Sequence, residues 1–342
     1  MYLLCGFFIV VCIVLYVRSR FWVRQPVRHW WSLPRPGMRL GAPPEKYVDH
    51  SHVRSFGGDD MPLDEVDALL RYVKTQTNDV FFPDADQVAV FLTGSFVSVY
   101  CAMSGAMSGA MLDGCIVGRP VDVRMGGQKY QGFFNEVMAS DSEKVSRFLF
   151  CTHEMNKRKK YPDAVTIFRT SCPILFVVPT AVYDVRWVQT KLYTRYRHPG
   201  LTLVKATESN VHEIMKLWET KRSGFRVTPT VYQLVAWIKA NLASVYYAVK
   251  TNAIVGMFFF RKSLMVDRNK CVIDCCSATV LDSDVGLAFS SLMHRYRRTF
   301  PIVRLHMQAD VGQLPMRGWY KATKEYVFVY GVGSGSGAAE II

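Results

Sequence analysis

From Pro62 to Met307 the chain runs twice through one order of apolar-patterned segments, which calls for two similar units built in tandem. The first copy opens with an amphipathic helix carrying Leu63, Val66, Leu69, Leu70 and Val73, then a second helix around Val88 to Leu92. A strand at Phe96 to Tyr100 leads to Ile116-Val117-Gly118. A buried strand at Phe148 to Cys151, a basic loop, a helix from Asp163 and a strand from Ile174 to Val178 complete the copy. The second copy has helices at Val211 to Trp218 and Val231 to Ile238, then a hairpin, Val245 to Val249 turning at Thr251-Asn252 into Ile254-Val255-Gly256 and Met257 to Phe260. A strand from Cys271 to Val280, a helix from Gly286 to Arg298 and a strand from Ile302 to Met307 follow. The expected fold is therefore mixed α/β (α+β), two pseudo-symmetric halves behind an apolar N-terminal helix.

The stretch with the strongest chemical signal is Arg147 to Asp163. As a strand, then Lys157-Arg158-Lys159-Lys160, then a helix opening at Tyr161-Pro162-Asp163, it outlines a phosphate site. Proline is tolerated in a first helical turn, and free N–H groups with the positive dipole end favour an anion there. A solvated basic loop is the plainer alternative. In the second copy the corresponding loop is Leu281-Asp282-Ser283-Asp284-Val285-Gly286, whose two carboxylates suit capping but would repel pyrophosphate. Only the first half is expected to hold such a ligand.

At 342 residues, half of them hydrophobic, the chain can build a real core. A formal charge of +14 asks for an anionic partner. Charge alone would admit nucleic acid, but the interleaved aromatic and basic pattern of nucleic-acid modules is missing, and none is expected. Nine scattered cysteines without paired CxxC spacing point to a reducing compartment, and eight histidines without HExxH to no metal.

Tyr2 to Val17 is an unbroken apolar run followed by Arg18, Arg20, Arg24 and Arg28. It is short against the roughly 20 residues a spanning helix needs. With basic charges on its C-terminal side, residues 1–18 read as a membrane anchor with the remaining chain in the cytosol. A signal peptide or a peripheral segment is the alternative. Ala102 to Met111, AMSGAMSGAM, reads as a flexible insertion between hairpin strands. The tail from Gly331 ends a Gly/Ser tract on Ile341-Ile342, an apolar finish that suits a pocket.

Several of these segments resemble one family. Phe21-Trp22-Val23-Arg24-Gln25-Pro26-Val27 is similar to the Phe-Trp-x-x-Gln-Pro-Val opening of the N-myristoyltransferase (glycylpeptide N-tetradecanoyltransferase) catalytic domain. Phe150-Cys151-Thr152-His153 with Lys157 to Lys160 resembles its Phe-Leu-Cys-Val-His segment and the basic residues after it. Tyr72-Val73-Lys74-Thr75-Gln76-Thr77-Asn78 resembles Tyr-Val-Glu-Asp-Asp-Asp-Asn with the acidic cluster gone, and Phe82 stands near the matching aromatic. The repeated order of elements is that of the GNAT-type acyltransferase fold, in tandem. The late Gly-rich signature is not matched at Arg317 to Ala322.

The resemblance implies a divergent N-myristoyltransferase that moves myristate from myristoyl-CoA, a substrate rather than a prosthetic group, to the N-terminal glycine of a protein. Residues 19–195 would bind acyl-CoA, and residues 196–342 would bind peptide and supply the terminal carboxylate. It implies oxyanion donors at the amides of Leu149 and Phe150 and a proton acceptor at the Ile342 carboxylate. It assigns acyl-CoA to Phe21, Trp22, Leu149, Phe150, Cys151, Thr152, Lys157, Arg158, Lys159, Lys160, Tyr161 and Pro162, and the peptide to Tyr72, Asn78 and Phe82. His153, directly after the expected strand, reads as hydrogen-bonded structure. A monomer is expected. The alternatives are a same-fold acyltransferase with another donor, or a membrane-anchored acyl-CoA and peptide binder without catalysis.

Overall fold

The computed structural model describes residues 2–32, 40–76, 85–101, 111–196, 200–220, 224–307, 309–332 and 339–341. The first half contains α1 (Tyr2–Val23), β1 (Val53–Gly57), α2 (Leu63–Gln76), α3 (Ala85–Leu92), β2 (Phe96–Tyr100), β3 (Gly114–Met125), β4 (Gln128–Ser140), α4 (Glu143–Lys160), β5 (Val165–Thr170) and β6 (Ala181–Gln189). The second contains β7 (Leu201–Lys205), α5 (Val211–Thr220), β8 (Phe225–Pro229), α6 (Val231–Lys239), β9 (Ala243–Lys250), β10 (Ala253–Asp267), β11 (Lys270–Val280), α7 (Val285–Tyr296), β12 (Ile302–His306), β13 (Trp319–Tyr330) and β14 (Ala339–Ile341). The strands form one sheet, ordered β1-β2-β3-β4-β5-β13-β6-β12-β11-β10-β9-β7.

The duplication is visible in that order. In each half antiparallel strands lead to a parallel step, β4 to β5 through α4 and β11 to β12 through α7. The halves exchange their last strands at the centre. β13 lies between β5 and β6, and β6 reaches across to β12. Three hairpins turn on two residues with positive φ, as a right-handed strand twist requires: Gly126-Gly127, Thr251-Asn252 and Arg268-Asn269. The repeated Ile-Val-Gly has a physical reason, since each glycine sits at a register irregularity with no room for a side chain. A Cβ on Gly118 would lie 2.9 Å from Asn135 Oδ1, and one on Gly256 2.6 Å from Val285.

The second copy matches its expected elements, whereas the first departs after β3. Phe148 to Cys151 is not a strand, and no helix starts at Asp163. Ser142 caps one helix, α4, running from Glu143 through the basic cluster, and residues 165–170 are a strand. The strand expected at Ile174 to Val178 is a turn with a single bridge at Val177. The cause is the hairpin strand β4, which sequence reading passed over although Gly126-Gly127 marks its turn. Phe148-Leu149-Phe150-Cys151 is too short an apolar run to tell strand from helix by itself. Once β4 takes the strand position, that run falls to the helix and buries Leu149, Phe150 and Cys151.

The apolar N-terminal run does form α1. However, among the described residues no helix is long and apolar enough to cross a membrane. The expected spanning anchor is corrected accordingly. The helix continues past Arg20 into Phe21 and Trp22, which dock on the body with Phe150, Phe168 and Tyr47, so its last turn belongs to the folded core. Gln25 fixes this segment, accepting from Tyr330 Oη at 2.7 Å and donating to Cys151 Sγ at 3.5 Å. The insertion at residues 102–110 lies outside the described residues.

Beneath α4, Lys157 is fully buried. It donates to Glu154 at 2.6 Å and to Thr166, while burial pulls its ammonium pKa down against the pull of Glu154. Removing one partner of a buried pair leaves an uncompensated charge, so Lys157→Met is expected to cost about 3–5 kcal/mol. Lys159→Ala, on the exposed face, should stay within about 0.5 kcal/mol. Urea-unfolding midpoints check both.

A second buried charge system spans the junction of the halves. Glu136 on β4 meets Arg119 Nε on β3 at 3.0 Å and Arg261 on β10. Arg304 grips Asp274 at 2.5 and 2.7 Å, and Arg169 meets Glu325 at 3.0 Å. Burial opposes each carboxylate's charge, but neighbouring arginines outweigh it and hold all three pKa values down, Glu325 at about 2. A depressed carboxylate stabilises the fold above its unfolded pKa of roughly 4 and loses that contribution as pH falls through the folded value. Stability measured by denaturant titration should therefore fall below about pH 4, with a shallower loss in Glu325→Gln.

Candidate functional site

The parallel pairing of β4 with β5 covers only Gly132–Asn135 against Val165–Phe168. Beyond it β5 stays with β13, while β4 continues to Ser140. Among the described residues the β5-facing edge of β4 from Glu136 onward has no strand partner. A cavity of about 210 Å³ borders this interval. Glu136, Val137, Met138 and Ala139 form one wall, and Arg169, Arg261, Asp274 and Arg304 bring in charge from both halves. Such a parting exposes main-chain groups inside a protein-lined space, where a polar ligand atom can satisfy them.

α4 begins at the far end of the same strand segment. Ser142 Oγ accepts from Val145 N at 3.3 Å, and the first N–H groups of the helix open toward the end of β4. Lys144 is exposed there, while Arg147 pairs with Glu143 and lies over the Phe21 ring. Tyr72 Oη is 2.7 Å from Asp141 and ties α2 to this loop. Burial, then Asp141, raises the Tyr72 hydroxyl pKa, so it serves as a donor.

The structure redistributes the residues singled out by sequence. Leu149 and Phe150 lie inside α4, where backbone N–H groups bond within the helix, so their amides are unsuited to an oxyanion. Cys151 and Thr152 are buried, Thr152 bonded to Phe148 O and Asp49 N. Lys157 is consumed by Glu154, and Arg158 donates to Gly41 O at 2.8 Å. Lys159, Lys160 and Pro162 are exposed, and Tyr161 packs beside Phe133. Together they mark the C-terminal end of α4, where cations complement the dipole, about 27 Å from its first turn. The helix start expected beneath a phosphate at this end is thus corrected, since the basic cluster closes a helix instead of preceding one. Phe21 and Trp22 sit in the aromatic cluster on α4 and Tyr72 under the β4–α4 loop. Asn78 and Phe82 lie outside the described residues. His153 is buried and bonded to Ser98 Oγ at 2.9 Å, with its pKa pushed far down by burial.

Ile342 also lies outside the described residues, but the residues before it are threaded into the fold. Ala339–Ile341 pairs in parallel with Phe225–Val227, and β8 pairs in turn with Val121–Met125 of β3. β14 also approaches β11, which carries Asp274. In the second half Lys250 bridges Asp282 and Asp284 at 2.9 and 2.6 Å, which leaves the loop before α7 net negative and unsuited to an anion. Sequence reasoning missed Glu136, Arg169, Arg261, Asp274, Arg304 and Glu325. Part of their signal is present, since two of the six are single charges flanked by apolar strand residues, Ile273-Asp274-Cys275 and Val303-Arg304-Leu305.

No family model and no curated protein sequence matches the chain. Solved structures do. N-myristoyltransferase of Saccharomyces cerevisiae with bound myristoyl-CoA superposes with a TM-score of 0.66 at 10% identity, covering 94% of this chain and 90% of that one. A probable N-acyltransferase from Enterococcus faecalis gives 0.51 at 12% identity over 82% of this chain and 72% of that one. A GCN5-related N-acetyltransferase from Kribbella flavida gives 0.52 at 10%, over 81% and 70%. The chain has the fold of these proteins, a tandem GNAT-like architecture.

Proposed function

We propose that the chain is an acyltransferase that moves an acyl group from acyl-CoA to an amine, with myristoyl-CoA as donor and the N-terminal glycine of a protein as acceptor. The observation that carries this reading is the parting of β4 from β5 with the start of α4 at its end. A pyrophosphate at Ser142–Ser146 meets helix N–H groups, the positive dipole end and Lys144. The thioester then lies along the open edge of β4, where amides from Glu136 to Ala139 can face the developing oxyanion. The amine attacks the thioester carbonyl, the C–S bond breaks, and CoA leaves as the thiol. The threading of Ala339–Ile341 supports the terminal carboxylate of Ile342 as the group that takes the amine's proton. Acyl-CoA is a substrate here, and the proposed unit is a monomer.

A binding protein without turnover is a second reading, favoured by Leu149 and Phe150 lying inside α4, where their amides are unavailable as oxyanion donors. A transfer assay with acetyl-, myristoyl- and palmitoyl-CoA and a Gly-start peptide separates the readings. Turnover, best with myristoyl-CoA, is expected, and donor binding with no turnover would establish the second. Lys144→Glu should raise the donor KM about fivefold, a change of about 1 kcal/mol at a helix start. Lys159→Ala should leave it within about twofold. The reverse pattern would return the phosphate site to the basic end of α4.

Phe7, Ile9, Val10, Ile13, Val14 and Val17 of α1 are more than half exposed. An apolar surface of this extent supports association of α1 with a membrane beside a cytosolic catalytic body. Flotation with liposomes should be lost on deletion of residues 2–17, and unchanged flotation would reject that placement.

A further inference from the structure

The cavity beside Glu136 has more positive than negative charge built into it. Three guanidinium groups, Arg169, Arg261 and Arg304, line it with two carboxylates, Glu136 and Asp274, while Arg119 and Glu325 pair with this cluster without lining the space. Each carboxylate is already engaged by an arginine. Arg261 is 8% exposed and lines the cavity, yet its Nη1 has no hydrogen-bond partner among the described residues. An unpartnered guanidinium nitrogen at such depth is costly unless something occupies the space before it. The space, about 210 Å³, equals about seven waters at roughly 30 Å³ each, enough for a small side chain. Val73 of α2 closes one side, and the same helix end presents exposed Arg71 and Lys74. A lysine arriving here meets Glu136 and Asp274 only where arginines already engage them.

Taking this cavity as the acceptor's end of the proposed transfer site, we propose that the acceptor carries a carboxylate within a residue or two of its reacting amine, received by Arg261 with Arg169 and Arg304. A carboxylate on Arg261 fills the vacant donor, brings the cluster to charge balance and fixes the amine near the open edge of β4. The carboxylate can come from an acidic side chain following the terminal glycine, or from the α-carboxylate of a free amino acid.

The test titrates wild-type protein, loaded with CoA, with peptides starting Gly-Asp, Gly-Asn and Gly-Lys, and with free glycine and free aspartate. The peptides expose the side-chain source and the free amino acids the α-carboxylate source. The acidic peptide, or a free amino acid over its amide, should bind about tenfold more tightly, as a charge-assisted bidentate contact allows. The difference should shrink below about twofold in Arg261→Met and survive in part in Arg261→Lys, with melting curves confirming that both fold. Equal binding of acid and amide, or preference for lysine, overturns the proposal. It would also mean that something else, such as the chain's own terminal carboxylate, fills the site. The transfer assay is read separately. Turnover without an acidic preference removes only the carboxylate site, and an acidic preference without turnover removes only the acyltransferase reading.

Discussion

Four residue pairs of parallel ladder, and then none, hold β4 to β5. A parallel pair broken so early inside a large sheet needs something to fill the gap and something to keep it from closing. The gap is bordered by the cavity, and Glu136 is locked between Arg119 and Arg261 at its edge. Ion pairs this deep are weak evidence for stability, because desolvation offsets most of their attraction. Charges fixed on three different strands are better suited to holding an opening at fixed width.

The exchange of last strands gives that opening its rigidity. Because β13 from the second half lies against β5 and β6 from the first half lies against β12, neither half can shift without breaking ladder hydrogen bonds. Arg169 on β5 and Glu325 on β13 repeat the exchange in side chains. The proposed site therefore lies where both halves contribute. The α4 start carries exposed Lys144, whereas the α7 start carries two carboxylates on one lysine, so the proposed anion end falls in the first half.

In the second half α5 to α7 and β9 to β12 were legible in the sequence, because hairpin turns and amphipathic spacing set clear boundaries, whereas β7, β8, β13 and β14 were not read. In the first half the long β3–β4 hairpin hid its second strand, Gln128–Ser140, whose alternation is broken by the buried run Gly132 to Asn135. Losing it displaced the strand-to-helix step by one element, so that the end of α4 was read as the start of a helix. The Phe21 to Val27 motif pointed to a real anchoring point, since Gln25 joins Tyr330 and Cys151. The charged cavity was not assembled from sequence, because its members lie on β3, β4, β5, β10, β11, β12 and β13 and only the sheet order brings them together. The backbone amides that line an opening carry no side-chain signature at all.

The most direct measurement is a crystal structure of the chain with CoA bound. The account places the pyrophosphate against the first turn of α4, at Ser142–Ser146, with the thiol end pointing along β4 toward Glu136. Pyrophosphate held instead by Lys159 and Lys160, about 27 Å away at the other end of that helix, would contradict it.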